Sequence, residues 1–175
     1  MKIGLFYGST TCYTEMAAEK VQEHLNDLLG DDTVELFNIK DVALKRAEAF
    51  DILVFGISTW DFGEIQEDWE SSWEDIRELN LNDKAVALFG LGDQLGYADW
   101  FQDALGMLNQ EVQAQGAYLI GQWPNLGYDF AESKALTEDQ SHFVGLALDE
   151  DNQYDLSEDR INRWCQQILE EYSES

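Results

Sequence analysis

The stretch Ile52-Leu53-Val54-Phe55-Gly56-Ile57 decides the fold class. It is apolar at every position, so both faces of a strand formed from it would be buried, as in a central strand of a parallel sheet. Four more short apolar runs, at residues 3–7, 34–37, 85–89 and 118–120, indicate further strands. Together they predict five strands.

Amphipathic segments separate these strands, which is the pattern of an α/β fold. The first places apolar residues at i, i+4, i+8 and i+11, which is one face of a helix. These residues are Ala17, Val21, Leu25 and Leu28. Similar faces are formed by Trp69/Trp73/Ile76, Phe101/Ala104/Leu105/Leu108/Val112 and Ile161/Trp164/Cys165/Ile168/Leu169. A short polar helix is predicted over 42–49, and Ser157 is predicted to cap the last helix. The alternation predicts a parallel sheet between two helical layers, a three-layer α-β-α sandwich.

One region interrupts the alternation. Residues 121–142 are mostly polar, and an apolar run resumes at 143–148. We interpret residues 121–142 as an insertion in the fifth strand. With 175 residues the whole chain, 1–175, is predicted to be a single domain.

The charge balance excludes several classes of partner. The chain has 10 Lys and Arg against 36 Asp and Glu, a formal net charge of −26. Such a chain cannot assemble the basic face that nucleic acids or anionic membranes require. The acidity is equally explained by attraction of basic protein partners, by solubility, or by a saline habitat.

Cysteine and histidine usage predicts neither a zinc site nor export. Cys12 and Cys165 form no CxxC pair, and His24 and His142 are isolated. Two unpaired thiols, with no secretory or membrane-spanning stretch, predict a cytoplasmic protein.

Ligands of open parallel sheets bind beyond the carboxyl ends of the strands. The first such loop holds Ser9, Thr10, Thr11 and Thr14 at the start of a predicted helix. Hydroxyl groups and free backbone N–H groups there can hold phosphate without a cation. A hydroxyl-rich helix cap with no ligand explains the loop equally well.

Other phosphate-binding motifs are absent. There is no GxxxxGK[ST] sequence, and the residue six positions after Cys12 is Ala18, not the Arg of a phosphatase loop. Strand one ends in Gly8-Ser9 and not in the acidic pair of a receiver domain. Residues 90–96 read GxGxxxG, which is not the dinucleotide fingerprint.

The next two loops each carry an aromatic residue just past a strand. Trp60 follows the third strand, and Tyr97 lies in the loop after the fourth. Either ring alone is explained by packing on the core. Together with a phosphate-type loop at the same edge of the sheet, they predict a flat, phosphorylated ligand.

At this point the sequence resembles the flavodoxin family. Ser9-Thr10-Thr11-x-x-Thr14 is similar to its FMN-phosphate loop, and Thr59-Trp60-Asp61-x-Gly63-Glu64 to its second flavin loop. Gly92-Asp93-Gln94-x-Gly96-Tyr97-x-Asp99 is similar to the third. The split fifth strand and the segment 146–153 resemble the long-chain subgroup. The resemblance spans the whole chain and implies strand order 2-1-3-4-5.

The resemblance also implies roles for individual residues in holding FMN. Ser9, Thr10, Thr11 and Thr14 would hold phosphate, and Trp60 and Tyr97 would flank the isoalloxazine. Thr59 and Asp93 would lie near its pyrimidine edge or the ribityl chain, which Asp149 would contact. The implied cofactor-binding set is completed by Cys12, Tyr13, Ser58, Asp61, Gly63, Leu91, Gly92 and Trp100.

Two positions in these loops carry specific expectations. The family's switching peptide corresponds to Asp61-Phe62-Gly63, which makes the Asp61 carbonyl the acceptor for flavin N5–H. Cys12 stands where the family commonly has glycine, the residue used where φ is positive. Its thiol is either inert or activated by the helix N-terminus.

The function implied is a low-potential one-electron carrier that uses bound FMN between its semiquinone and hydroquinone states. Electrons would come from a pyridine-nucleotide-linked flavodoxin or ferredoxin reductase and pass to downstream redox enzymes. These partners would have basic faces, and the carrier would be a monomer forming transient complexes. Two alternatives stay open: an FMN-dependent quinone-reductase-like enzyme, and a cofactor-free acidic binding module.

Overall fold

The computed structural model describes all residues, 1–175. Five helices and nine strands build an α/β fold around one parallel sheet. The strands are β1 (Ile3–Tyr7), β2 (Val34–Asn38), β3 (Ile52–Trp60), β4 (Glu64–Ile65), β5 (Ala85–Leu91), β6 (Tyr118–Ile120), β7 (Trp123–Pro124), β8 (His142–Phe143) and β9 (Leu146–Leu148). The helices are α1 (Tyr13–Leu29), α2 (Glu67–Ser71), α3 (Trp73–Ile76), α4 (Asp103–Ala114) and α5 (Tyr154–Glu174), with 3₁₀ turns at Leu44–Ala49 and Ala98–Trp100. No helix is both long enough and apolar enough to cross a bilayer.

The main sheet runs in the order β2-β1-β3-β5-β6, with every neighbouring pair parallel. The central strand β3 is buried from Ile52 to Ile57, as its apolar run predicted. In total the sheet has seven strands and not five. The additional strands are β4, which pairs antiparallel with the end of β3, and β9, which pairs with β5.

Helices cover both faces of the sheet. Phe89 on β5 packs against Trp164 of α5, with ring centroids 6.2 Å apart. The next residue, Gly90, faces Leu105 of α4. Successive strand residues point to opposite faces, so α5 and α4 lie on opposite sides of the sheet. Helix α1 packs beside α5.

The fifth strand position is divided between two strands. β6 pairs with Ala85–Ala87, and β9 pairs with Phe89–Leu91, so the chain leaves the sheet after Ile120 and returns at Leu146. The prediction that the strand resumes at Phe143 was wrong. Phe143 pairs antiparallel with Trp123 in a separate two-stranded ribbon. Gly121, at φ +85°, turns the chain out of the sheet.

Two details of the helices differ from the sequence prediction. The periodic segment containing Trp69, Trp73 and Ile76 forms two short helices, α2 and α3, that meet at Ser72. Helix α5 begins at Tyr154, so Ser157 lies within its first turn and does not cap it. The Ser157 hydroxyl instead donates to Glu150 Oε1 at 2.5 Å.

Candidate functional site

The first loop joins β1 to α1 at the carboxyl edge of the sheet. Cys12 occupies the position before α1 and has φ 70°, in the left-handed region. This is the backbone shape for which glycine is the usual residue. The replacement of glycine by Cys12 therefore leaves the left-handed shape in place and adds strain. The Cys12 side chain is exposed.

The hydroxyl groups of this loop have different surroundings. Thr10 Oγ1 accepts a hydrogen bond from Gln66 Nε2 at 3.0 Å. Thr14 is buried and its hydroxyl contacts the Ser58 hydroxyl. Ser9 Oγ is buried and has no hydrogen-bond partner within the chain. Because a buried hydroxyl without a partner is costly, Ser9 fits a loop built to receive a ligand.

The second loop is a hairpin that joins β3 to β4. Trp60 pairs with Glu64, so the connection is Asp61-Phe62-Gly63. Asp61 has φ 43° and Gly63 has φ 87°. Two positive φ angles among three residues make a tight turn at the predicted switching peptide.

The third loop follows β5 and is held by its own aspartate. Asp93 Oδ1 accepts from the backbone N–H of Leu95 at 3.1 Å and of Gly96 at 2.7 Å. It also accepts from Asn152 Nδ2 at 2.7 Å. These bonds fix the turn that carries Tyr97, whose side chain is partly exposed.

The three loops meet around a cavity of about 270 Å³. Its lining comprises Thr11, Tyr13, Ser58, Thr59, Trp60, Asp61, Leu91, Gly92, Asp93, Tyr97, Glu150 and Asp151. All of these except Glu150 and Asp151 carry roles predicted from the sequence. The structure thus brings both aromatic candidates, Trp60 and Tyr97, to one cavity.

The remaining predicted residues lie around this cavity but not in its lining. They are Ser9, Thr10, Cys12, Thr14, Gly63, Trp100 and Asp149. Trp100 packs edge-on against Phe62, with centroids 4.9 Å apart. Gly63 lies beneath it, since a Cβ added there would be 3.1 Å from Trp100 Cδ1.

Asp149 has a structural setting that the sequence did not indicate. It is fully buried, and Oδ2 accepts from the backbone N–H of Gln94 at 3.0 Å and from Gln94 Nε2 at 2.7 Å. Oδ1 accepts from the backbone of Asp151 and Asn152. Asp149 therefore holds the third loop to the segment after β9, behind the cavity wall.

Three residues at the site were missed. Glu150 and Asp151 line the cavity, and they belong to the acidic segment that the resemblance singled out without assigning them roles. Gln66 is almost fully buried and joins two loops: Oε1 accepts from Trp69 N at 3.3 Å while Nε2 donates to Thr10. A polar residue directly before Glu67-Asp68 is the signal for such a cap.

The electrostatics of the cavity are uniformly acidic. Its lining holds Asp61, Asp93, Glu150 and Asp151 and no Lys or Arg. The charge of Asp61 raises the pKa of the Tyr97 hydroxyl. Burial, followed by the charge of Asp93, raises the pKa of Asp151. A negative charge placed in this cavity is therefore disfavoured.

The residues fit a flat ligand whose phosphate is held by uncharged hydrogen-bond donors of the chain. Trp60 and Tyr97 supply two aromatic surfaces, and the loop before α1 supplies hydroxyls and a helix N-terminus. Ser9 Oγ and Trp60 Nε1 are both buried without partners in the chain. Both groups can therefore form a hydrogen bond with a ligand at this edge of the sheet.

Comparison with known proteins decides the family. A model of the family described as Flavodoxin matches residues 5–164. The chain belongs to the flavodoxin family. Flavodoxins are electron-transfer flavoproteins and not enzymes, which confirms the prediction of a carrier. The predicted flavodoxin-like α/β fold is likewise confirmed.

Individual flavodoxins match over nearly the full chain. Flavodoxin 2 of Escherichia coli K12 is 56% identical over 174 residues, which cover 99% of this chain and 98% of that protein. A flavodoxin of Synechococcus elongatus is 45% identical, with 98% of each chain covered. The crystal structure of Fusobacterium nucleatum flavodoxin bound to flavin mononucleotide superposes with a TM-score of 0.89 at 29% identity, covering 97% of this chain and 98% of that one.

Proposed function

We propose that this flavodoxin binds FMN in the cavity between Trp60 and Tyr97 and carries single electrons at low potential, between the semiquinone and hydroquinone states of the cofactor. The observation that carries the proposal is the meeting of both rings, a hydroxyl-rich helix N-terminus and an unpaired buried hydroxyl at one edge of the sheet. Bound FMN supplies the redox chemistry, and the chain positions and tunes it.

The phosphate would lie against the loop before α1. Ser9 Oγ is buried there without a partner. The Thr10 hydroxyl accepts from Gln66 Nε2 and keeps its own O–H free to donate. The left-handed φ of Cys12 shapes the turn into α1, whose first N–H groups have no partner within the helix. The loop has no Lys or Arg, so phosphate would keep its full charge beside the flavin.

The ring would lie between Trp60 and Tyr97, with Asp61 and Asp93 at its margins. The Asp61-Phe62-Gly63 turn follows Trp60 directly, which supports a role for one of its carbonyls beside the same ring. The Asp61 carbonyl is our candidate acceptor for a proton at flavin N5. This hydrogen bond would favour the one-electron-reduced form over the oxidised one.

The acidic lining accounts for a low potential. One anion about 7 Å from the ring costs roughly 2.4 kcal/mol at an effective dielectric of 20 when the ring becomes anionic. For a one-electron couple this corresponds to about 100 mV. Four carboxylates line the cavity, and solvent reduces the effect of each. Their sum favours release of the last electron.

The same charge suits basic redox partners. Glu67, Asp68 and Glu70 begin α2 next to the second loop, where they also stabilise the helix N-terminus. We propose that a basic reductase and basic acceptors dock at this edge transiently, with rates that fall as salt screens the charges. Two free thiols, Cys12 and Cys165, support a cytoplasmic location.

The test compares FMN with riboflavin, which lacks the phosphate. Flavin is removed from the protein, and rebinding is followed by quenching of flavin fluorescence. Ser9→Ala should weaken FMN binding about tenfold, because one hydrogen bond to a charged group is worth about 1.5 kcal/mol or more. It should leave riboflavin binding unchanged. Equal effects on both ligands, or no flavin binding at all, would contradict the proposal.

A further inference from the structure

We propose that this chain has a second ligand site, between α5 and strand β7 with the residues just after it, that binds a small carboxylate with an apolar body. The site is a cavity of about 510 Å³ that shares no lining residue with the flavin cavity. One wall is Trp123, Pro124 and Leu126. The other is the face of α5 that carries Arg160 and Arg163.

Arg160 is the central observation. It is the only buried Lys or Arg of the chain, with 6% of its surface exposed, and it lines this cavity. No carboxylate lies within ion-pair distance of it, although the chain has 36 Asp and Glu. A buried cation without a paired anion is unusual, because burial removes the hydration that stabilises the charge.

The contacts of Arg160 leave part of its guanidinium free. Nη1 donates to Gln153 Oε1 at 2.8 Å, and the group lies over the Tyr128 ring at 4.2 Å. No group of the chain accepts from Nε or Nη2. A guanidinium has five N–H donors in a planar fork that matches a carboxylate in two parallel hydrogen bonds. The free edge of Arg160 supplies such a fork.

The geometry holds Arg160 in place. Gln153 Nε2 donates to the carbonyl of Gly127 at 2.8 Å, so the residue that accepts from Arg160 is itself anchored. Tyr128 donates its hydroxyl to the Ala147 carbonyl at 2.6 Å. Both contacts of the guanidinium are thus fixed to backbone. A preorganised cation loses little side-chain entropy when an anion binds.

The local charge favours an anion despite the acidic molecule. Among the lining residues Arg160 and Arg163 are cationic and only Asp159 is anionic. Asp159 Oδ2 already accepts from Arg163 Nε at 2.9 Å, which leaves Arg160 unneutralised. At physiological salt, charges more than about 8 Å away are largely screened.

The apolar wall selects the body of the ligand. Leu126 is 81% exposed, and Leu156 is 40% exposed on the facing helix. Pro124 adds to the surface that an aromatic or branched aliphatic group can cover. Trp123 lies beneath it, almost fully buried, with Arg163 over its ring at 5.5 Å. A few convergent polar groups within an apolar lining are typical of small-molecule sites. An aryl or aliphatic carboxylate combines both features.

The test uses 3-phenylpropionate on the FMN-loaded, ¹⁵N-labelled protein, with 3-phenylpropionamide as the uncharged match. Proton–nitrogen NMR follows the Trp123 indole and Arg160 Nε–H signals. We expect saturable shifts with the carboxylate at concentrations up to about 10 mM and at least tenfold weaker binding of the amide. Absence of shifts, or equal binding of both probes, would overturn the proposal.

A variant that folds normally sharpens the test. Leu126→Glu places a negative charge at an exposed position in the wall, so it should weaken 3-phenylpropionate binding at least tenfold. Leu126→Gln, its uncharged match, loses only the apolar contact and should weaken binding clearly less than Leu126→Glu does. Arg160→Gln should abolish binding if the variant folds. Unchanged binding in Leu126→Glu would refute the site even if Arg160→Gln failed to fold.

Discussion

Gly63 lies directly against Asp103: a Cβ added to Gly63 would be 2.9 Å from Asp103 Oδ2. Asp103 is the first residue of α4, and its Oδ1 accepts from the backbone N–H of Lys134 at 2.8 Å. One buried carboxylate therefore contacts both the turn of the second loop and the segment inserted in the fifth strand. The position of the second-loop turn therefore depends on Asp103, on α4 and on the inserted segment.

Gly63→Ala should disturb this turn. Alanine at φ 87° is strained, and its Cβ meets Asp103 and Trp100. We expect a loss of about 2 kcal/mol in free energy of unfolding, measured in urea on the flavin-free protein. FMN affinity should fall as well, because Asp61 and Trp60 would shift.

Gly127→Ala is the matched control for that change. Gly127 also has φ 87°, but the nearest atom to an added Cβ is 3.8 Å away. Gly127→Ala should lower the free energy of unfolding by about 1 kcal/mol, the cost of a non-glycine residue at positive φ. Its FMN affinity should be unchanged. Equal losses of FMN affinity in both variants would show that the Gly63 contact with Asp103 is irrelevant to the flavin site.

Cys12→Gly should stabilise the flavin-free protein. The strain of φ 70° at a non-glycine residue costs about 1–2 kcal/mol, of which the greater freedom of glycine in the unfolded chain offsets part. We expect a net gain of about 0.5–1 kcal/mol, seen as a higher urea midpoint.

Asp32→Gly serves as the comparison, since Asp32 has φ 62° in an exposed turn after α1. Both substitutions should stabilise the fold, but only Cys12→Gly should alter FMN affinity. A loss of stability in Cys12→Gly would mean that its left-handed backbone carries no strain.

Asp103 should make stability depend on pH. Burial raises the pKa of its carboxyl above the unfolded value of about 3.8. A raised folded-state pKa contributes stability that is present below the unfolded pKa and is lost as pH rises through the folded one. Asp103→Asn keeps an acceptor for Lys134 and removes the charge. Its unfolding free energy should decline less than that of the wild type as pH rises above about 4; parallel curves would refute this.

Cys165 should limit stability in alkali. Burial raises the pKa of its thiol from 9.0 to about 12. The unfolded chain ionises first, so stability is present below pH 9 and is lost progressively towards pH 12. At about pH 10.5 the loss is roughly 2 kcal/mol. Cys165→Ala should flatten this decline, whereas Cys12→Ser, at an exposed position, should not.

Part of the alkaline decline should survive in Cys165→Ala. Burial also raises the pKa of Tyr128 to about 12 from 10.0. The loss that remains above pH 10 should shrink further when Tyr128→Phe is combined with Cys165→Ala. It should not vanish, because burial and Glu15 raise the pKa of Tyr7 to about 12 as well. An unchanged slope in both variants, measured by urea unfolding from pH 8 to 11, would contradict these assignments.

The sequence predicted what depends on local pattern. Apolar runs fixed the burial of β3, and the order of loops brought Trp60 and Tyr97 to one cavity. The prediction failed where contacts between distant parts of the chain determine the local structure. Phe143 has the pattern of a strand residue, but it pairs with Trp123 in the ribbon. Ser157 has the chemistry of a cap, but helix α5 begins three residues earlier.

For the candidate site, too, local pattern was predictable from the sequence and tertiary contacts were not. The hydroxyls and aromatics were recognised by type and spacing, whereas Glu150 and Asp151 line the cavity only because the chain returns to the carboxyl edge of the sheet after β9. Gln66 takes part through its hydrogen bond to Thr10, which is 56 residues away in sequence. The positive φ at Cys12 could be anticipated, because glycine is usual at that position. The buried bonds of Asp149 could not, since Gln94 is distant in sequence.

Spectroelectrochemical titration of the FMN-loaded protein at pH 7 tests the central claim most directly. The acidic cavity and the Asp61 turn predict two separate one-electron steps, with the second at a potential well below that of free FMN. A single two-electron step at the potential of free FMN would contradict the account, because the cavity would then not tune the flavin.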